Sequence, residues 1–134
     1  LACTRLADIQ PVPILPPHDP MAGVQTISAA ELASAPQIML PANSPFRRAV
    51  AYMFDREGVS YHVRAEARTQ TALVSMVAQG AGRAIVDRRV LAAAGEAGVS
   101  AVNLSSELNW PIRIITLSAS RDIPGLQRFI RELQ

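Results

Sequence analysis

Between residues 36 and 104 the apolar side chains of this chain change period repeatedly. They pass from the two-residue repeat of a strand to the repeat of three and four that marks one face of a helix, and back. The stretch PQIML (36–40) reads as a short buried strand. In 45–57, Phe46, Ala49, Val50, Met53 and Phe54 fall at i, i+3, i+4, i+7 and i+8, with Arg47, Arg48, Asp55 and Arg56 mostly off that stripe. YHVRAEA (61–67) alternates, a second helix carries Leu73, Met76 and Val77 inward, and GRAIVD (82–87) is a strand. A short helix from Arg88 to Ala94 and a further strand, VSAVNL (99–104), follow. Strands alternating with helices imply an α/β fold with a largely parallel sheet.

The helix ends carry their own signals. Ser44 suits an N-cap, Pro45 the first helical position, and Gly58 a left-handed close. Ser28 and Glu31 have capping-box spacing for one short helix. Thr69 or Thr71 can cap the helix that stops at Gly80, and Gly95 closes the next. DIQPVPILPPHDP (8–20) alternates Val12 and Ile14 with prolines, which admits a short edge strand or an extended crossover but no helix. IRIITLSAS (112–120) is a longer strand, and from Asp122 onward Leu126, Phe129, Ile130 and Leu133 share one helical face.

The glycine pair in LVSMVAQGAGRAIVD (73–87) raises the question of a phosphate-binding loop. A dinucleotide fingerprint runs strand, glycine loop, helix, because the phosphates need the positive N-terminus of the following helix. Here the order is reversed, and what faces Gly80 and Gly82 is a helix C-terminus with its partial negative charge. Gly80 is therefore expected to end the helix and Gly82 to let the chain turn sharply into the sheet.

Composition narrows the function classes. Thirteen Lys and Arg against eleven Asp and Glu leave a net charge of +2, scattered rather than clustered, so no DNA-binding face is expected. Cys3 is the one cysteine, and no Cys and His group has metal-ligand spacing, so neither disulfide, metal nor cofactor is expected. No apolar run reaches the length of a membrane helix, and no basic region with an apolar core opens the chain, so the expected location is the cytoplasm. Catalysis is not expected either: no GxSxG elbow exists, Cys3 has no motif around it, and His18 and His62 stand in unremarkable settings. The chain opens at Leu1 without an initiator methionine, which suggests a piece of something longer.

The stretches LPPHDPMA, ISAAELASAPQIML, SPFRRAVAYMFDREGV and TALVSMVAQGAGRAIVD, taken in order and spacing, resemble the effector-binding domain of LysR-type transcriptional regulators. The resemblance covers nearly the whole chain. SPFRR, the later Phe and Gly-Val, and a strand ending in Val-Asp look most like the regulators that sense opines and related amino acids. Arg83 departs from the aliphatic residue usual after the second glycine.

The resemblance implies a periplasmic-binding-protein-like domain of two lobes, truncated on its N-terminal side. Residues 1–16 would be a first-lobe remnant and crossover strand, 17–110 the second lobe, and 111–134 the return crossover and first-lobe C-terminal helix. It further implies a small effector, an amino acid, opine or carboxylate, held between the lobes, pairing into a homodimer or tetramer, and DNA contact only through a separate N-terminal helix-turn-helix. Carried over by position, Ser44, Arg68, Thr69 and Gln70 would face the effector and Asp87 could meet a ligand amine. Each has a plainer alternative. Ser44 and Thr69 cap helices without any ligand, Asp87 can cap the helix at Arg88, and Arg68 can be a solvated surface arginine. Arg83 is left at an exposed edge or reaching into the cleft, and Trp110 is read as a packing residue. Two other classes remain open: a solute-binding protein of a transport system, and a fragment that serves only for oligomerisation.

Overall fold

The computed structural model describes residues 1–95, 98–120 and 123–134. In chain order its strands are β1 (Ala2–Asp8), β2 (Pro11–Leu15), β3 (Thr26–Ile27), β4 (Gln37–Met39), β5 (Val63–Glu66), β6 (Ala84–Asp87), β7 (Ser100–Ala101), β8 (Asn103–Leu104) and β9 (Pro111–Thr116). The helices are α1 (Ala29–Ala33), α2 (Pro45–Arg56), α3 (Gln70–Ala78), α4 (Arg88–Ala93) and α5 (Leu126–Leu133), with a 3-10 turn at Ser118–Ser120. They fall into two compact units, one of residues 10–108 and one of 1–9 with 109–134.

In the larger unit the expected elements form, and their ends carry the expected caps. Ser28 and Glu31 complete both bonds of a capping box. On α2 all five stripe residues, Phe46, Ala49, Val50, Met53 and Phe54, are buried. The helix closes as a Schellman motif at Gly58, whose N–H donates to the Asp55 carbonyl while that of Val59 donates to Phe54. Helix α3 ends the same way: the Gly80 N–H donates to Val77 at 2.9 Å and that of Ala81 to Met76 at 3.1 Å, with Gly80 at φ 84°. Gly82 follows because there is no room for anything else. A Cβ there would stand 2.6 Å from the Pro36 carbonyl oxygen and 3.1 Å from the Ile38 side chain. Inward on α3 are Leu73, Val74 and Val77, with Met76 half-buried rather than in the core.

The sheet is mixed, not largely parallel. β4 pairs in parallel with β5, a parallel bridge from Gln37 to Arg83 joins it to the β6 side, and β3 pairs in parallel with β8. β2 runs antiparallel to both β6 and β7. The helical crossovers α2 and α3 return the chain in the same direction from β4 to β5 to β6, whereas β2 enters outside those crossovers and is free to oppose them. VSAVNL splits in two: Ser100–Ala101 opposes β2 and Asn103–Leu104 joins β3.

β2 is also not an edge strand. It lies between β6 and β7 in spite of Pro11 and Pro13. The Gln10 carbonyl accepts from Arg88 and the Pro13 carbonyl from Val102, so even-numbered residues turn their backbone groups to β6 and odd-numbered ones to the β7 side. β7 begins opposite Ile14 and Leu15, and neither proline is asked for an N–H. Val12, Ile14 and Leu15 are fully enclosed and pack in the core with Ile27, Leu32, Met53, Phe54, Leu73 and Leu91.

In the smaller unit β1 and β9 make an antiparallel ribbon with a bulge between Arg5 and Ala7. β1 is a strand that the apolar pattern did not signal. On α5 Ile130 is buried, whereas Phe129 and Leu133 of the same expected face are 53% and 46% exposed. The expected helix start at Asp122 lies outside the described residues.

Candidate functional site

Because β4, β5 and β6 point the same way, their C-terminal ends share one edge, the edge where ligands gather in open α/β sheets. Each strand there runs into a helix through a polar cap. Ser44, after β4, accepts from the Arg47 N–H at 3.4 Å. Thr69, after β5, accepts from Ala72 at 3.1 Å. Asp87, at the end of β6, accepts from Arg89 at 2.9 Å. Three helix N-termini thus turn their partial positive charge toward this edge. Arg47 pins it in place. Its largely buried guanidinium donates to the Leu40 carbonyl at 2.8 Å and to Glu66 at 3.3 Å, tying the ends of β4 and β5 to α2.

Of the residues singled out from the sequence, Ser44 and Arg68 come together. With Pro41 and Asn43 they line a surface recess of about 440 Å³. Arg68 is exposed, and its guanidinium has no hydrogen-bond or ion-pair partner among the described residues. Thr69 is exposed at the start of α3 with its hydroxyl engaged in capping. Gln70 and Asp87 meet directly: the Gln70 Oε1 accepts the Asp87 backbone N–H at 2.6 Å.

The Asp87 carboxylate is enclosed and fully occupied. Oδ1 accepts from the backbone N–H and Nε of Arg89 at 2.9 and 3.0 Å, and Oδ2 from Arg89 Nη2 at 2.8 Å and the Gln10 N–H at 3.3 Å. Burial pushes this carboxyl up, but the bonds from Arg89 and Gln10 outweigh it and hold it below the ordinary aspartate value. The same pair raises Arg89 further above the usual arginine range. Arg89, Pro41 and Asn43 were missed from the sequence. Arg89 left one faint trace, an arginine two positions after a strand-ending aspartate.

Arg83 takes neither of the places expected for it. It is 4% exposed and lies under the Pro16–Val24 loop, where Nε and Nη2 grip the two oxygens of Asp19, each at 2.8 Å. Nη1 donates to the Glu31 carbonyl at 2.6 Å and to Ser34 Oγ at 3.2 Å, and the buried Gln37 amide donates to Leu32 and Ala35. Together they satisfy carbonyls at the end of α1 that the helix cannot satisfy itself. The Arg83 hydrogen bonds, working against desolvation, hold the Asp19 carboxyl below its ordinary value.

His18 and His62 are exposed, and Trp110 is half-buried, its carbonyl accepting from Ile9 at 2.9 Å. Among the described residues no group of His, Cys, Asp or Glu could hold a metal ion, and no helix is long and apolar enough to cross a membrane.

A family model described as the LysR substrate binding domain matches residues 1–134. Among solved structures, the regulatory domain of CcmR from Synechocystis PCC6803 in complex with 2-PG superposes with a TM-score of 0.84 at 22% identity, covering 98% of this chain and 64% of that one. The effector-binding domain of QuiR in complex with shikimate gives 0.83 at 15%, covering 98% and 62%. HinK, a LysR family regulator from Pseudomonas aeruginosa, gives 0.77 at 18%, covering 97% and 46%. The chain therefore spans less than two thirds of the solved chains it resembles. No curated protein sequence matches it significantly.

Proposed function

We propose, starting from the fact that this chain belongs to the LysR substrate binding domain family, that it senses a small anionic effector at the carboxyl edge of β4, β5 and β6. The observation that carries this reading is Arg68, a guanidinium without a partner among the described residues, in one recess with the Ser44-capped start of α2. A guanidinium offers two parallel N–H bonds to a carboxylate, and a helix N-terminus adds a favourable dipole. Ser44, Arg68, Thr69, Gln70 and Asp87 make up the binding edge, with the first two in contact with the ligand.

The rest of the reading follows the family. Residues 17–110 form the second lobe, with 1–16 and 111–134 supplying the crossings and part of the first. Effector binding shifts a pre-existing balance of conformations, and a separate N-terminal helix-turn-helix in a dimeric or tetrameric, cytoplasmic regulator answers on DNA. The domain itself performs no catalysis. Solute capture for transport has no observation in its favour here, since the solved structures named above with bound small molecules are regulator domains.

The test is a thermal-shift screen of the full-length protein against amino acids, opines and small carboxylates. A ligand at a hundred times its Kd adds about 2.7 kcal/mol to the folded state and raises Tm visibly. A carboxylate that does so for the wild type and not for Arg68→Ala establishes the reading; binders indifferent to Arg68 remove it.

A further inference from the structure

Arg68 has no partner among the described residues in spite of a carboxylate two positions before it. Glu66 ends β5, and the Ala67 N–H donates to the Met39 carbonyl at 3.0 Å, so the chain stays paired to β4 almost up to Arg68. Exposure alternates along this stretch: Arg64, Glu66 and Arg68 are exposed, whereas Val63, Ala65 and Ala67 are half-buried. Glu66 and Arg68 therefore leave the chain on the same side, about 6.6 Å apart along it, within reach of each other for two long side chains of opposite charge. Both also reach the start of α2. Arg68 shares a recess with Ser44, and Glu66 accepts from Arg47.

What separates them is Arg47. Its guanidinium is only 12% exposed and is anchored twice, with Nη1 donating to the Leu40 carbonyl at 2.8 Å and to Glu66 Oε1 at 3.3 Å. Its backbone N–H is the one that Ser44 caps. The Glu66 side chain is 49% exposed and has no other partner among the described residues. The charges of Arg47 and Glu66 cancel, and that of Arg68 is left over for a ligand. With Arg47 removed, Glu66 and Arg68 would cancel instead, and this part of the edge would offer an anion no net charge.

We infer that Arg47 is a positioning residue of the anion site: by holding Glu66 against the first turn of α2, it keeps that carboxylate from neutralising Arg68. The inference rests on the anion-sensing role of Arg68, but its test needs no effector.

The experiment measures the rate at which phenylglyoxal modifies Arg68 in the full-length protein, read by peptide mass spectrometry, with the exposed Arg131 of α5 as internal reference. Pairing to a carboxylate shields a guanidinium from this reagent. Arg47→Met keeps an apolar stem and removes the charge, and Arg68 should then react about two- to fivefold more slowly than in the wild type, the worth of an exposed ion pair. Arg47→Met with Glu66→Gln should restore the wild-type rate, Arg47→Lys should stay close to it, and Glu66→Gln alone should leave Arg68 at least as reactive as before.

A purely structural role for Arg47 gives the opposite sign. Loosening the edge by loss of the Leu40 bond would speed the modification, and nothing at Glu66 would reverse it. An unchanged or faster rate in Arg47→Met overturns the inference, as does a slowing that Glu66→Gln fails to reverse. Failure of the Arg68 reading looks different: carboxylates that stabilise the wild type would stabilise Arg68→Ala equally, whatever the pattern of reactivity.

Discussion

Arg83 and Asp19, 64 positions apart in the chain, meet in a two-pronged ion pair with both N···O distances at 2.8 Å and both side chains almost wholly enclosed. Breaking a buried pair by removing one partner leaves an uncompensated charge, which costs about 3–5 kcal/mol. Arg83→Met should therefore lower the urea midpoint sharply, and Arg83→Met with Asp19→Leu should recover much of the loss. A single variant as stable as the wild type would show that the pair contributes nothing to the fold.

Asp19 and Asp87 both have carboxyl groups held below their ordinary values in the folded chain. A lowered folded value means that the unfolded chain binds protons first, so the contribution is complete above the unfolded aspartate value of about 4 and is lost as pH falls through the lower folded values. Urea midpoints measured from pH 6 down to pH 2.5 should fall steeply below about pH 4, and Asp19→Asn should flatten part of that fall. A midpoint independent of pH across this range would contradict the pairing.

Gly82 is fixed by its neighbours. A Cβ meets a backbone carbonyl at 2.6 Å, and the Pro36 oxygen it meets is itself an acceptor for the Arg83 N–H at 2.9 Å. Gly82→Ala must displace the approach of the β6 entry to β4, and overpacking of this kind costs about 1–3 kcal/mol. Gly80→Ala has open space around the new methyl group and only the left-handed backbone to strain, so it should cost less. Equilibrium denaturation of the two variants should rank them in that order.

Much of this architecture was legible because it is written in local chemistry. The Ser28–Glu31 box, the Ser44–Pro45 start and the Gly58 and Gly80 ends are each decided within five residues, and each is found where its signal stands. The direction of β2 was not legible, since it depends on partners 70 residues and more away, and prolines that normally mark an edge fit a central strand once the register turns their missing N–H from β6. The partner of Arg83 was hidden for the same reason: nothing near position 83 names Asp19. At the candidate site the caps could be read from residue type alone. That Asp87 is closed by Arg89, and that Arg68 has no partner among the described residues, is a matter of side-chain geometry that spacing does not encode.

The cap at Ser44 separates two roles. Ser44→Ala removes the acceptor for the Arg47 N–H and should cost about 1 kcal/mol of stability, and Ser44→Asp should restore it. If Ser44 also touches an anion, Ser44→Asp should regain stability while weakening effector binding by placing a negative charge in the recess. Recovery of both together would leave Ser44 a cap and nothing more.

The central claim is that Arg68 receives an anionic group of the effector, and calorimetric titration of the full-length protein tests it most directly, with the tightest carboxylate from the thermal screen and its neutral amide as ligands. The account predicts that Arg68→Ala weakens the carboxylate at least about tenfold, that Arg68→Lys loses less, and that the amide binds both variants and the wild type with similar weakness. Equal affinity of wild type and Arg68→Ala for the carboxylate would contradict it.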